Sequence, residues 1–259
     1  TSPSLQSPLR SSFVLGRRAL RESLRTPDSV IPTLFIPLFF LVVNVGQAAR
    51  IFPREGTDFL KGQNYAAFQL PSSLLVAASF GSAALYLVEE IEGGYFDKLR
   101  ATPIPRMAIA LGRLYAELVK MLVLGAIMVL IALPFGVRIA GGVPGFIGLI
   151  VLIAAWSVVF SGLMQVVALK SRSAAATQSA SLVFFPLLFV TPNFVPRHLL
   201  TRPMEIAATV NPVTYVMEAA RSLILDGFDG PALLRAVAVI AAAGAATAWL
   251  TVRTINQYD

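Results

Sequence analysis

The chain has 259 residues, of which 56% are hydrophobic and only 14% charged, and its mean hydropathy is +0.73. Soluble domains carry about 25% charged residues, and a soluble fold could not bury this many aliphatic side chains while keeping a solvated surface. The absence of cysteine excludes disulfides and thiolate metal sites. The net charge of +7 is explained more simply by basic residues beside anionic lipid headgroups than by nucleic-acid binding. We therefore expect an integral membrane protein whose surroundings are lipids, with no nucleic-acid partner.

The N-terminal segment, residues 1–29, is predicted to be cytoplasmic and to contain a short amphipathic helix. Across 11–25, apolar side chains alternate with arginines, and Pro27 then separates this segment from the first apolar run. A basic amphipathic helix lies along a membrane surface rather than across it. The arginines of this interface helix are Arg17, Arg18, Arg21 and Arg25.

Residues 30–259 are predicted to form one all-α transmembrane domain, because stretches of about 20 apolar residues recur along it. The stretch 107–117 is apolar but carries Arg113 and Glu117, and each charge would cost roughly 2.5–3.5 kcal/mol at mid-membrane. We therefore place it at the membrane interface, and start the third span near 118. The six predicted spans are 30–49, 66–88, 118–135, 143–169, 174–190 and 232–252.

The stretch 191–231, before the last span, is too polar to cross a membrane yet rich in apolar residues. It is predicted to form short re-entrant helices at the outer face, where other spans can cover irregular backbone. Its lone histidine, His198, is expected to be structural or merely exposed.

The distribution of basic residues predicts the orientation. Five arginines precede the first span, and the six-span plan puts eleven basic residues on one side and seven on the other. The basic side is cytoplasmic, so both termini of this multi-pass protein are predicted to lie in the cytoplasm, with the spans in the cell (inner) membrane.

No motif for nucleotide hydrolysis or other catalysis is present in the sequence. A P-loop needs Gly-Lys, and none of the four lysines follows a glycine. Glu89, Glu90 and Glu92 form an acidic cluster, but nearby basic residues favour a salt-bridged loop over a metal site. A lone histidine at the predicted outer face leaves serine hydrolysis without a base. The chain is thus predicted to bind no cofactor and no metal, and a membrane-embedded enzyme is the weakest hypothesis.

Polar residues are sparse within the predicted spans, for example Gln69, Ser72 and Ser73. Such residues hold helices together or line a translocation path, and the sequence leaves both open. No acidic residue lies at the predicted middle of a span, which argues against an ion-coupled secondary transporter. Pro186 and Pro192 could break the fifth span.

Two stretches resemble the type-2 ABC exporter permease family, especially its daunorubicin-resistance-like branch. The first has acidic residues and glycine followed by Leu-x-x-Thr-Pro and Arg across 89–106, and continues into Leu-Gly-Arg at 111–113. The second is Asn-Pro-Val-Thr-Tyr at 211–215, followed by Glu218 and Arg221. One departure is Gln-Leu-Pro-Ser at 69–72, where many relatives carry Pro-Gly, and this leaves the substrate subclass open.

The resemblance implies a half-transporter: two permease chains, identical or homologous, with two cytoplasmic ATPase chains that bind ATP and Mg. It implies a coupling loop at 89–106, and the glycines of that loop would allow a tight turn. The implied coupling residues are Glu89, Glu90, Glu92, Gly93, Gly94, Leu99, Thr102, Pro103 and Arg106. Its outer re-entrant segment would contain Asn211, Pro212, Tyr215, Glu218 and Arg221.

Substrate contacts would come from the facing sides of the second and fifth spans, although aromatic residues there are also ordinary packing residues. The candidates are Gln69, Ser73, Phe80, Phe184 and Phe185. The leading hypothesis is an ATP-driven export permease for an amphipathic drug or lipid-like substrate. A polysaccharide or glycolipid export permease of the same superfamily is the first alternative. A membrane anchor subunit that recruits a partner without transporting anything is the second.

Overall fold

The computed structural model describes residues 27–79, 87–88, 93 and 106–256, and within these all regular structure is helical. The interface helix predicted at 11–25, Phe80 and all of the 89–106 loop except Gly93 and Arg106 lie outside the described residues. Short 3-10 turns cover Asp58–Leu60, Leu133–Phe135 and Arg197–Leu199. The helices are α1 Pro27–Ala48, α2 Tyr65–Ser79, α3 Arg106–Ala132, α4 Gly142–Ser171, α5 Ala174–Ser181, α6 Phe184–Phe189, α7 Arg202–Val210, α8 Pro212–Leu225 and α9 Gly230–Asn256.

Helix α2 lies at the centre of the bundle. All of its residues are buried, and it packs against α1, α3, α4 and α8. Pro71 lies inside the helix and has no amide to donate to the Ala67 carbonyl. The surrounding helices supply the packing that holds α2 together despite this lost bond.

Helix α3 differs from the prediction for 107–117. It is one continuous helix in which Arg113, Glu117 and Lys120 are all buried. The Lys120 ammonium lies 2.8 Å from the Glu117 carboxylate, one turn away on the same helix. Pairing opposite charges lowers the cost of burying either one. The apolar segment of this helix begins at Ala110, before the predicted start of the third span near 118, and the position of 107–117 at the membrane interface stays a prediction.

Helices α4 and α9 run parallel and approach closely at small residues. A Cβ added to Gly162 would lie 3.5 Å from Thr247 Oγ1, and one added to Gly244 would lie 3.6 Å from Val159 Cγ2. The difference in residue number between α9 and α4 is the same in both contacts, which shows that the two helices run in the same direction. Small residues at such positions let helix backbones come together in a membrane.

Within the part of the chain that the structure describes, three helical segments are long and apolar enough to cross a membrane: Ala110–Phe135, Gly142–Ser171 and Gly230–Thr254. Two shorter apolar segments, Thr33–Ala48 and Ala174–Phe189, coincide with the first and fifth predicted spans. In the second predicted span, Tyr65–Ser79 is one continuous helix, and residues 87–88 are also helical. The six-span count stays a prediction.

The fifth predicted span is broken into α5 and α6 by a turn at Leu182 and Val183. Pro186 explains the position of the break, because it has no amide for the Leu182 carbonyl and its ring crowds that group. The Leu182 carbonyl instead accepts from the amide of Phe185 at 3.1 Å, a tighter turn than an α-helix makes.

The stretch 191–231 contains the short helices that were predicted for it, α7 and α8. Helix α8 begins at Pro212, and the Asn211 side chain caps it by accepting from the Val213 amide at 3.0 Å. Most of α8 is buried against α2, α4 and α9. Its insertion into the outer leaflet stays a prediction.

Candidate functional site

One end of the bundle is closed by the segments 49–64, 133–141 and 190–229, and we call it the capped end. Gln63 Nε2 donates to the Ile224 carbonyl at 2.7 Å, while Gln63 Oε1 accepts from the Arg138 amide at 2.9 Å. Asn64 Nδ2 donates to the Phe135 carbonyl at 2.7 Å. Two adjacent side chains therefore join all three segments, and Gln63 satisfies the Ile224 carbonyl at the end of α8.

Arg221 is the most heavily engaged side chain at the capped end, and it is buried. Its guanidinium donates to the carbonyls of Pro192 at 2.9 Å, Phe68 at 3.2 Å and Asn193 at 3.4 Å. It also stacks over the Phe68 ring, 3.6 Å from the centroid. Arg221 thus joins α8, α2 and the 191–196 segment into one unit.

Glu218 lies one turn before Arg221 and forms a two-point ion pair with Arg197, at 2.9 and 2.6 Å. The Arg197 guanidinium in turn lies 5.2 Å from the centre of the Tyr215 ring. The Tyr215 hydroxyl donates to the Thr209 carbonyl at 2.7 Å, which ties α7 to α8. Charge-assisted paired bonds of this kind fix geometry strongly.

All five residues predicted for the outer re-entrant segment therefore lie in one short helix and its start. Asn211 also donates from Nδ2 to the Leu187 carbonyl at 2.6 Å, connecting α8 to the broken fifth helix. The contacts of these residues hold backbone segments in place, which is a structural role.

Polar atoms on α2 face the same region from the bundle interior. Gln69 Nε2 donates to Asn193 Oδ1 at 3.3 Å, whereas Gln69 Oε1 and Ser73 Oγ have no hydrogen-bond partner among the described residues although both are buried. Ser73 and Asn193 line a cavity of about 10 Å³ with Asn44 of α1 and Phe189 of α6. A space of that size holds about one water molecule. Gln69 does not line this space but bonds to Asn193, which does, and we call Gln69, Ser73 and Asn193 together the polar pocket.

The candidate substrate residues do not all lie in this pocket. Gln69 and Ser73 do, whereas Phe184 is buried against Phe160 of α4, with ring centroids 5.3 Å apart. Phe185 lies 6.2 Å from Phe40 of α1. The sequence pattern of α2 thus predicts polar residues that the structure brings together, whereas Phe184 occupies an ordinary core position.

Of the implied coupling residues, the structure describes Gly93, which is exposed in a turn, and Arg106, which begins α3. The other members of that set, and the four arginines predicted for the interface helix, lie outside the described residues. Their roles stay predictions.

The structure also assigns contacts to residues that sequence reasoning missed, namely Gln63, Asn64, Asn193 and Arg197. A visible signal existed for the first two, since a Gln-Asn pair directly before an apolar helix is well placed to cap neighbouring chain ends. Asn193 and Arg197 gave none, because their partners are distant in sequence.

The family model of the ABC-2 type transporter matches residues 10–225, from the N-terminal segment to the end of α8. The chain belongs to the ABC-2 type transporter family. The resemblance drawn from the 89–106 and 211–221 motifs is thereby confirmed. The chain is a membrane-embedded permease, a transporter subunit of an ABC transporter system.

Two curated relatives cover most of the permease. It is similar to the daunorubicin resistance ABC transporter permease protein DrrB1 of Streptomyces coeruleorubidus, with 27% identity over 213 residues, 80% of this chain and 72% of that protein. It is also similar to the transport permease ycf38 of Cyanophora paradoxa, with 26% identity over 222 residues, 83% of this chain and 74% of that protein.

Proposed function

We propose that this permease moves an amphipathic drug or lipid-like substrate out of the cytoplasm or the inner leaflet, powered by separate ATPase subunits. The observation that carries the proposal is the similarity to a daunorubicin resistance permease over 80% of the chain. Daunorubicin resistance is a property of that relative, and it gives the substrate class proposed here.

In this proposal the substrate path passes the polar pocket formed by Gln69, Ser73 and Asn193. Two of its polar atoms lack hydrogen-bond partners among the described residues, and a buried polar group without a partner costs free energy. Such groups suit a site whose partner is water or a passing substrate. The adjacent break between α5 and α6 offers a place where the path can change width, because a broken helix bends more readily than a continuous one.

The cytoplasmic side of the proposed exporter is the end opposite the capped end. The 89–106 loop would dock a cytoplasmic ABC ATPase that binds ATP and Mg, and the interface helix would support that contact. A second permease chain, identical or homologous, would complete the path. In this orientation both termini lie in the cytoplasm, the spans lie in the cell (inner) membrane, and the capped end faces outwards.

The first test is to purify the permease in mild detergent from a host that expresses its native neighbours, and to assay the ATPase activity of what co-purifies. We expect a stoichiometric P-loop subunit whose vanadate-sensitive hydrolysis is stimulated by an amphipathic drug. Recruitment of an ATPase without any substrate stimulation would instead identify a non-transporting anchor. Stimulation by a glycan-linked lipid alone would identify the polysaccharide or glycolipid alternative.

Two variants test whether the substrate path passes the polar pocket. Gln69→Ala with Ser73→Ala should change the substrate concentration that half-stimulates the ATPase, because both side chains line the proposed route. Ser161→Ala is the matched control, since Ser161 is also buried on a helix with no hydrogen-bond partner among the described residues but lies on α4. Equal effects of the double variant and of Ser161→Ala would show that the path does not pass the polar pocket.

A further inference from the structure

A second, much larger cavity lies at the capped end, outside the polar pocket. It has a volume of about 700 Å³ and lies between the 52–61 stretch, the 3-10 turn at Arg197–Leu199, the second half of α8 and the start of α9. Drug-sized ligands occupy cavities of about 300–1,000 Å³. The cavity is therefore large enough for a lipid headgroup with its glycerol.

We call this larger space the headgroup cavity. One of its walls is aromatic. Phe52, Phe59 and Phe68 line it. The ring centroids of Phe52 and Phe59 are 5.4 Å apart, and those of Phe59 and Phe68 are 4.9 Å apart. Both pairs are inclined, with interplanar angles of 65° and 59°, and together the rings form an apolar surface whose exposed faces also attract an ammonium group.

The remaining lining carries equal numbers of cations and acids, so it has no net charge with His198 neutral. Two ion pairs join lining residues to each other. Arg197 pairs with Glu218, and Lys61 pairs more loosely with Asp226, at 3.8 Å. Arg221 is engaged by backbone carbonyls. The charged lining residues are Lys61, Arg197, Arg221, Arg235, Asp58, Glu218, Asp226 and Asp229.

After these pairings, Asp58, Asp229 and Arg235 form no ion pair among the described residues. Asp229 Oδ1 accepts from the Ala232 amide at 3.2 Å, and Arg235 Nε donates to the Pro231 carbonyl at 3.2 Å. Asp229 therefore keeps its other carboxylate oxygen available to a ligand. Arg235 keeps its two terminal guanidinium nitrogens available. The cavity thus offers open groups of both signs, which is complementary to a zwitterion and not to a simple anion or cation.

The position of the cavity indicates where its ligand comes from. Asp229 and Arg235 flank the start of the apolar segment Gly230–Thr254, one of the segments able to cross a membrane. Phe228 and Leu234 beside them are 61% and 70% exposed. Charged residues next to exposed apolar ones at the end of a span are typical of the level of the lipid headgroups. Zwitterionic headgroups are concentrated at that level.

We propose that the headgroup cavity binds a zwitterionic phospholipid of the phosphoethanolamine type. Arg235 would take the phosphate, Asp58 and Asp229 would take the ammonium, and Phe52 and Phe59 would contact the glycerol and the first carbons of the acyl chains. This lipid is a bound partner and not the transported substrate, so the inference stands apart from the proposed export function.

The test is native mass spectrometry of delipidated permease titrated with phosphatidylethanolamine or with phosphatidylglycerol, which has an anionic headgroup. We expect phosphatidylethanolamine to bind at the lower concentration. The double variant Asp58→Asn with Arg235→Gln should weaken its binding by about five- to tenfold, because each lost ion pair at a partly exposed site contributes a few-fold in affinity. Phosphatidylglycerol binding should change much less.

The matched control is Arg202→Gln with Glu205→Gln. These residues form an exposed ion pair at the same end of the bundle, 2.9 Å apart, and do not line the cavity. Both double variants remove one acid and one base, so net charge is constant, and gel filtration checks that each folds. Equal binding of the two lipids, or an undiminished preference in the Asp58 and Arg235 variant, would overturn the proposal.

Discussion

Arg221 contacts Phe68 twice, through the face of its ring and through its backbone carbonyl, at 3.6 Å from the ring centroid and 3.2 Å from the oxygen. These two residues are 153 positions apart in the chain. Because Phe68 lies in the fully buried helix α2, the contact fixes α8 against the centre of the bundle. The capped end is therefore held against α2.

Replacing Arg221 by Met should destabilise the permease strongly. The substitution keeps much of the apolar stem but leaves three buried carbonyls without their donor, and removing one partner of a buried charged network costs about 3–5 kcal/mol. Arg221→Lys should lose less, because an ammonium keeps the charge but cannot reach all three carbonyls in the fork geometry. Thermal unfolding in detergent measures both. Arg202→Met, at an exposed residue, is the control; equal melting of the Met variants at 221 and 202 would contradict this role.

Replacing Gly141 by Ala should loosen the capped end. An added Cβ would lie 2.8 Å from the Gly145 Cα, a backbone atom that cannot move away independently. The Gly141 and Ala140 amides donate to the carbonyls of Leu223 and Ile224, so a shift there frees the end of α8. Overpacking of this kind costs about 1–3 kcal/mol.

Gly46→Ala is the matched control for Gly141→Ala, since nothing lies within 4 Å of its added Cβ and Gly46 is inside helix α1. There alanine should be neutral or stabilising by up to about 1 kcal/mol, because it restricts the unfolded chain. Hydrogen exchange of the amides at 140 and 141, which donate these two bonds, distinguishes the two variants. Unchanged protection there in Gly141→Ala would refute the proposed loosening.

Much of the helix layout follows from composition. Helices α1, α4 and α9 begin and end within four residues of their predicted bounds, because apolar runs of span length set these elements directly. Composition did not predict features that depend on contacts between particular residues. It did not show that Arg113 and Glu117 are buried against other helices, where Glu117 pairs with Lys120. Pro186 indicated that the fifth span could break, but not that the turn lies at Leu182 and Val183.

The site was predictable in part. The motif residues Asn211, Glu218 and Arg221 stood out by resemblance, and each has a defined contact in the structure. Their partners did not stand out, because Arg221 bonds to backbone carbonyls, and any residue can supply a carbonyl. The charge-balanced headgroup cavity was also invisible, since its lining comes from four separate parts of the chain.

The buried pair on α3 should be energetically coupled. Glu117→Gln leaves the Lys120 ammonium with a neutral neighbour in a buried position, and removing one partner of a buried pair costs about 3–5 kcal/mol. Lys120→Met should be similarly harmful alone, but the double variant should lose less than the sum of the two. A double-variant cycle of unfolding free energies should give a coupling of about 0.5–3 kcal/mol.

The control for that cycle is the exposed pair of Arg202 and Glu205, which has the same i,i+3 spacing on α7. Exposed pairs contribute about 0–1 kcal/mol, because water screens them. Glu205→Gln should therefore change the unfolding free energy little. Additive losses at 117 and 120 would show that the two side chains do not stabilise one another.

The coupling loop gives the prediction that bears most directly on transport. Under the proposed function, Glu89 and Glu92 contact basic groups of the ATPase, so replacing both by Ala should weaken subunit affinity by about tenfold or more, because truncating a buried interfacial charge costs about 2 kcal/mol or more. Substrate-stimulated hydrolysis should fall toward the basal rate, while the melting temperature of the permease alone stays constant. Glu55→Ala, at an exposed acid of the capped end, should change neither quantity. Full stimulation in the Glu89 and Glu92 variant would place ATPase docking elsewhere, whereas a lowered melting temperature would assign these acids to the fold of the permease itself.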